Sequence, residues 1–193
     1  MTAPMLRKCH GVCRTALLLL TAAALTMANR HVAASQDSVF VPLKITDSKR
    51  GSLTLTIGVH TKATKGFDFQ LNERPIPPPP AAPVLDARLI DPFRQKGEFA
   101  GLDAYVDIHP YTSPDQIDTF FVKYRPAPEG FPVTIQWPDS LGQLFDEALL
   151  LYKEDSAFKE WNMVKDSGVV LHDQAHDLVL IITHGPRLPE KIR

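Results

Sequence analysis

Beyond residue 36, apolar and polar positions mostly alternate with a period of two, the period of a strand with one face buried. The clearest case is Leu53, Leu55, Ile57 and Val59, which alternate with Thr54, Thr56 and Gly58. Residues 39–45 (VFVPLKI) form a candidate strand before it, and Asp47-Ser48-Lys49-Arg50-Gly51 reads as the hairpin turn between the two. Further strands are predicted over 84–90, 104–109, 117–124, 132–137, 158–163, 168–171 and 178–183. They are short, evenly spaced and separated by Pro, Gly, Asp and Ser. That rhythm predicts an all-β fold, an antiparallel sandwich of the immunoglobulin or jelly-roll kind with about 8–10 strands.

Two stretches break the rhythm. Leu141, Leu144, Phe145, Ala148, Leu149 and Tyr152 fall at helical spacing, and Ser140 with Gln143 has the form of a capping box. The run Ala148-Leu149-Leu150-Leu151-Tyr152 also suits a buried strand, so the spacing predicts one helical turn over 140–145 and then a strand through Tyr152. The proline-rich segment 75–83 (PIPPPPAAP) cannot pair in a central strand, because proline offers no amide donor. It is expected as an exposed polyproline helix, either a stiff connector between strands of different sheets or a docking peptide for an aromatic groove.

The first 35 residues have a different character. Arg7, Lys8 and Arg14 form a basic head, residues 15–27 are almost wholly apolar, and small residues follow at Ala28 and at Val32-Ala33-Ala34-Ser35. Basic region, short apolar core and small-residue exit make up a secretory signal, with cleavage after Ala28, Ala34 or Ser35. An anchor or a core helix is the alternative, but the run is shorter than the roughly 20 apolar residues that span a bilayer. The expected organisation is therefore a signal helix over 1–35 and a single domain over 36–193, placed in the periplasm, on the cell surface or in the medium.

Composition sharpens this picture. The leader holds four of the 21 basic residues and none of the 22 acidic ones, so its removal moves the net charge from −1 to −5. A mildly acidic domain without a Lys/Arg stripe excludes nucleic acid and anionic lipid as electrostatic partners, and no membrane span is expected in the mature chain. Both cysteines, Cys9 and Cys13, lie in the leader. The mature domain can have no disulfide, no cysteine–metal site and no cysteine nucleophile, and must be held by core packing.

Candidate chemistry is sparse. His172 and His176 stand four apart in HDQAHD, a zinc spacing on a helix, but the segment lies between two strand patterns and reads as a solvated turn. Asp68, Glu73 and Asp86 lie around the loop GFDFQLNERP, and exported β domains hold calcium with such oxygen ligands, although Lys65 and Arg74 would oppose it. No cofactor is expected, with calcium the one candidate ion. The chain has no G-x-S-x-G, P-loop, H-E-x-x-H or dinucleotide motif. A hydrolase using two carboxylates would draw them from Asp103, Asp107, Asp115 and Asp118. Trp137, Trp161 and Tyr111 are the candidate sugar-stacking rings, with a core position the alternative for Trp137.

Several segments in order resemble a module of bacterial secreted and surface proteins that often end in a type IX secretion sorting domain. They are Gly58, Ala63-Thr64-Lys65-Gly66-Phe67-Asp68, Leu71-Asn72-Glu73, Pro77-Pro78-Pro79-Pro80 and Leu85-Asp86-Ala87-Arg88. The later half adds Phe121-Val122-Lys123-Tyr124, Gly130-Phe131-Pro132, Thr134-Ile135-Gln136-Trp137 and Trp161-Asn162-Met163. The resemblance covers most of 50–183 and implies a β-sandwich module, usually without an assigned activity. Lys65 stands where the pattern usually has Asp and Asn72 where it often has Gly, which puts a cation site of that loop in doubt. No sorting domain follows, so that secretion route is not implied.

The sequence therefore leads to an exported, non-enzymatic β-sandwich with a binding or envelope-assembly role, its partner a protein or glycan at the cell envelope. A carbohydrate-binding module is the first alternative and a small extracytoplasmic hydrolase the second.

Overall fold

The computed structural model describes residues 34–35, 37–81, 83–92, 99, 101–154, 157–172 and 178–188. They belong to one compact unit, Val32–Arg193. The leader assigned to residues 1–35 lies outside the described residues except for Ala34–Ser35, and so does His176 with its flanking aspartates.

Ten strands build two sheets, and a two-residue strand β1 (Ala34–Ser35) pairs with the start of β2. In chain order the ten are β2 (Ser38–Asp47), β3 (Ser52–His60), β4 (Asp86–Ile90), β5 (Val106–Pro110), β6 (Ile117–Arg125), β7 (Val133–Gln136), β8 (Phe145–Glu154), β9 (Ala157–Asn162), β10 (Gly168–Leu171) and β11 (Leu178–Pro186). The first sheet runs β10-β7-β2-β3-β5 and the second β4-β6-β11-β8-β9. Every pairing is antiparallel except β3 with β5. The fold is the all-β, two-sheet architecture that the period-two pattern predicts.

One core fills the space between the sheets. The alternating residues Val39, Val41, Leu43 and Ile45 of β2 meet Phe120, Val122 and Tyr124 of β6, Leu150 of β8 and Val179 and Ile181 of β11. Lys44, between Leu43 and Ile45, is exposed. With about 25 cal/mol gained per Å² of apolar surface removed from water, this interlayer is the main source of stability in a domain without cysteine.

The hairpin at 47–51 forms as its residues suggest. Asp47 Oδ1 accepts the amides of Lys49 and Gly51 at 3.1 and 2.7 Å, and Arg50 takes the left-handed conformation with φ 68°. The other oxygen of Asp47 accepts the amide of Ala127 at 3.1 Å, which ties this turn to the β6–β7 connection. Gly58 is required in mid-strand, since a Cβ there would overlap the Val39 carbonyl oxygen.

The ambiguous segment resolves into both of its readings. Helix α1 (Leu141–Leu144) makes one turn, and β8 starts at Phe145. The capping box is a correction, because Ser140 makes no side-chain cap and only its carbonyl is used, by the amide of Gln143 at 2.9 Å. A helix this short gains little from a cap. What fixes it is burial of Leu141 and Leu144 in the core.

Trp137 is a core residue, 5% exposed. Its indole N–H is shared between the carbonyls of Met163 and Asp166, at 2.8 and 2.6 Å, so the ring locks the end of β7 to the β9–β10 turn. Trp137→Ala is expected to cost about 3–5 kcal/mol in a denaturant titration, as truncation of a buried aromatic does. A loss below about 1 kcal/mol contradicts the core position.

Candidate functional site

The polar residues of interest gather where the chain crosses between the sheets. Just before β5, Ala104 exchanges both backbone hydrogen bonds with Leu89 of β4, at 2.8 and 2.9 Å, and also bridges Pro75. Edge strands of opposite sheets are thereby stitched together. The connection from β3 to β4 runs along the outside of this seam.

The first part of that connection is held by acids. The parallel ladder to β3 uses alternate amides of β5, which leaves the Ile108 amide facing the outer edge. Glu73, 0% exposed, accepts that amide through Oε1 at 2.7 Å and the amide of Asp68 through Oε2 at 2.8 Å. Asp68 in turn accepts the amide of Thr64 at 2.6 Å and its hydroxyl at 3.1 Å. Asn72, with φ 65°, closes the 3-10 turn Phe69–Leu71 between the two acids. Each carboxylate thus satisfies backbone donors that would otherwise be orphaned.

Alternation along this clamped loop has a second effect. Asp68 is buried, Phe67 before it is half-buried, and Phe69 after it projects outward. Phe69 is 47% exposed. Phe99 meets both rings edge to face, with centroids 5.7 Å from Phe67 and 5.6 Å from Phe69. Leu102, 40% exposed, is joined to Phe99 by a turn in which its amide bonds the Phe99 carbonyl at 3.3 Å. The result is an apolar surface patch of Phe67, Phe69, Phe99 and Leu102 on a loop anchored by Asp68 and Glu73.

Inside the seam lies an ionic cluster. Asp107 and His109 share the inner face of β5, and Asp118 faces them from β6. His109 Nδ1 lies 2.8 Å from Asp118 Oδ1, and Nε2 lies 3.7 Å from Asp107 Oδ2. Gln116 Nε2 donates to the second oxygen of Asp118 at 2.7 Å and to the carbonyl of Pro110 at 3.2 Å. The imidazole also stacks on buried Phe120 with centroids 4.4 Å apart, an arrangement that favours a cation. Burial alone would lower its pKa. The hydrogen bonds and charges of Asp107 and Asp118 outweigh that and raise it to about 9. Near neutral pH the ring is an imidazolium clamped by two carboxylates, without the lone pair that a general base needs.

A second buried ion pair lies on the outer face of β4. Arg88 reaches Asp86 through two parallel hydrogen bonds, 2.7 Å from Nε and 3.0 Å from Nη2. Nη1 donates to the carbonyl of Pro77 at 2.6 Å and lies 3.5 Å from Asp103. The hydrogen bond with Asp86 raises the arginine pKa further, against the opposing effect of burial.

The residues singled out in the sequence are thus dispersed. Asp68 and Glu73 come together, and Asp86 is taken by Arg88 instead. Among the described residues no group of three His, Cys, Asp or Glu side chains is arranged to hold a metal ion. Of the four acids considered for hydrolysis, Asp107 and Asp118 meet at His109, Asp103 accompanies Arg88, and Asp115 is exposed. Trp137 is in the core, Trp161 on β9 stacks half-buried against Tyr152 at 4.8 Å, and Tyr111 follows β5 and packs on the core. These three rings belong to separate parts of the fold. The phenylalanine patch and the His109 cluster were not foreseen, although Phe-Asp-Phe and Asp-x-His carry the alternation that places them. No family model, curated protein or solved structure matches the chain.

The His109 cluster sets a pH dependence. The folded value, about 9, lies above the ordinary histidine value of 6.5. Its contribution is therefore complete below pH 6.5 and is lost as pH rises through about 9. His109→Gln is expected to lower stability by about 2–3 kcal/mol at pH 6 and by much less at pH 10, measured by urea unfolding at each pH. A gap that stays constant with pH contradicts the clamped cation. Glu73→Ala orphans two amides and is expected to cost about 2–4 kcal/mol. Faster exchange of the Ile108 amide should accompany it, and an unchanged Ile108 rate contradicts the clamp.

Proposed function

We propose that this protein is an exported, non-enzymatic β-sandwich module that binds a protein partner at the cell envelope through the patch of Phe67, Phe69, Phe99 and Leu102. The observation that carries this reading is the contrast between exposed Phe69 and Leu102, backed by half-buried Phe67 and Phe99, and the clamped backbone beneath them. The apolar patch projects from a loop whose acids all serve to hold it still. Exposed apolar groups on a preorganised support favour association, because little conformational freedom is lost on binding. The buried ionisable groups that could do chemistry are engaged with one another, as His109 is with Asp107 and Asp118. The leader-like N-terminus and the resemblance to secreted modules agree with an extracytoplasmic setting.

A glycan partner is the second reading, and the patch itself discriminates. Sugar rings stack on flat exposed faces, whereas these rings meet edge to face. The test is site-specific photocrosslinking in living cells, with the reactive group placed at Phe69. A discrete protein adduct that disappears in Leu102→Ser supports the reading, provided that variant unfolds within about 1 kcal/mol of the parent, as surface substitutions do. Absence of any adduct from Phe69 contradicts it, and so does retention on envelope polysaccharide that is lost in Phe69→Ser and Leu102→Ser.

A further inference from the structure

We propose that the outer face of the second sheet is a homodimer interface, covered by the same face of a second copy of this chain with its strands reversed. The face lies on strands that carry none of the phenylalanine patch. The alternation that marks the other strands fails there. β11 begins Leu178-Val179-Leu180-Ile181-Ile182, and β8 contains Leu149-Leu150-Leu151. An antiparallel strand with one face in water carries polar residues on that face, as β3 does with Thr54 and Thr56. An unbroken apolar run is the mark of a strand covered on both faces. Val179, Ile181 and Leu150 fill the interlayer core. Leu178, Leu180, Ile182, Leu149 and Leu151 alternate with them, stand outside that core, and are each half-buried.

Strand register makes these side chains one surface. Leu180 lies between Phe121 and Leu151, and Ile182 between Thr119 and Leu149. Two strongly exposed apolar residues extend it. Ile117, 65% exposed, opposes His184, and Phe158, 68% exposed, opposes Lys153. Across β6, β11, β8 and β9, and from Glu147 to Lys153 along the chain, the face measures about 20 by 24 Å. Two copies thus cover about 900 Å² before the relief of the side chains is counted, close to the roughly 1,000 Å² that a specific interface needs. A contiguous apolar area of this extent is uncommon on a monomer.

Charge at the rims selects a second copy and sets its direction. On β8, Glu147 ends the face at one rim and Lys153 at the other, at equal distances from Leu150. A two-fold axis crossing the strands at Leu150 and its neighbour Ile181 reverses the strand direction. Leu149 of one copy then meets Leu151 of the other, Leu180 meets Ile182, and Glu147 meets Lys153. Packed sheets keep their strands within about 30° of each other, so these pairs stay in reach. An axis along β11 would instead exchange β6 with β8 and bring Lys153 of one copy onto Lys123 of the other, like charge on like. The face is therefore complementary to itself in one orientation and repelled in the other.

The test is sedimentation velocity of the intact protein over a concentration series. A dimer is expected. Leu151→Lys puts a charge at the centre of the face and should weaken the dimer at least about tenfold. Glu147→Lys and Lys153→Glu, both at the rim, should each weaken it severalfold, and the two substitutions in one chain should restore it. The proposal is overturned if the protein is monomeric at about 100 μM, far above a micromolar dissociation constant. It is equally overturned if Leu151→Lys leaves association unchanged, as association through the leader would, or if the double exchange fails to restore what the single exchanges lose. A monomer that engages another protein or lipid vesicles through this face also overturns it.

Discussion

The pair of hydrogen bonds between Ala104 and Leu89 is the constraint from which the rest of this molecule follows. A sandwich of two sheets has four open edges, and an edge exposes a row of backbone donors and acceptors. Here one edge of each sheet is joined through a single residue that precedes β5 and pairs with β4. The seam fixes where the sheets meet without a disulfide. It also sets the course of the long β3–β4 connection, which has to pass along its outside.

That connection and the strands beside it, β4, β5 and β6, hold the polar residues of interest, and each has a mechanical role. Glu73 caps the outer edge of β5 and Asp68 braces the loop above it. Arg88 and Arg125 fasten the proline run to the outer face of the second sheet. On the inner side, His109 joins β5 to β6 through Asp118. Buried charges tolerate such positions only with compensation: Arg88 and His109 face carboxylates, Glu73 and Asp68 accept backbone amides, and Arg125 lies exposed on the surface. Carboxylates and an imidazole collected at one end of a fold invite a catalytic reading. In this fold they bind backbone amides and each other, and beside them the connection turns Phe69 toward solvent.

The strands were legible because burial of one face imposes period two, and the chain obeys it in β2, β3, β6 and β11. The switch from helix to strand at Phe145 was legible for the same reason, since Leu141 and Leu144 keep helical spacing and Ala148, Leu150 and Tyr152 keep strand spacing. That 75–83 builds no central strand was legible from the missing amide donors. The regular exposed polyproline helix expected there was not: the chain bends at Pro78 and Ala81, and half-buried Pro75 bridges Ala104. Contacts between distant segments were not. Asp86-x-Arg88 and Asp107-x-His109 each place two ionisable groups on one strand face, a signal present in the sequence. Whether that face looks inward, and that Asp118 meets His109, depends on a topology that period two does not specify. The parallel pairing of β3 with β5 was equally invisible, and it is this pairing that leaves the Ile108 amide for Glu73. Phe67 and Phe69 alternate with Asp68 as a strand would, and only the burial of the acid shows which of the three turns outward.

The seam can be tested directly by amide hydrogen exchange on the intact protein, read residue by residue at Leu89 and Ala104. Both amides should be protected to the level of Phe120 and Ile135 in the central strands, since opening them requires the two sheets to separate at that edge. Exchange of both at random-coil rates, with the central strands still protected, would mean that the edges are not joined and that the loop, the ionic cluster and the proline strap lack the support described here.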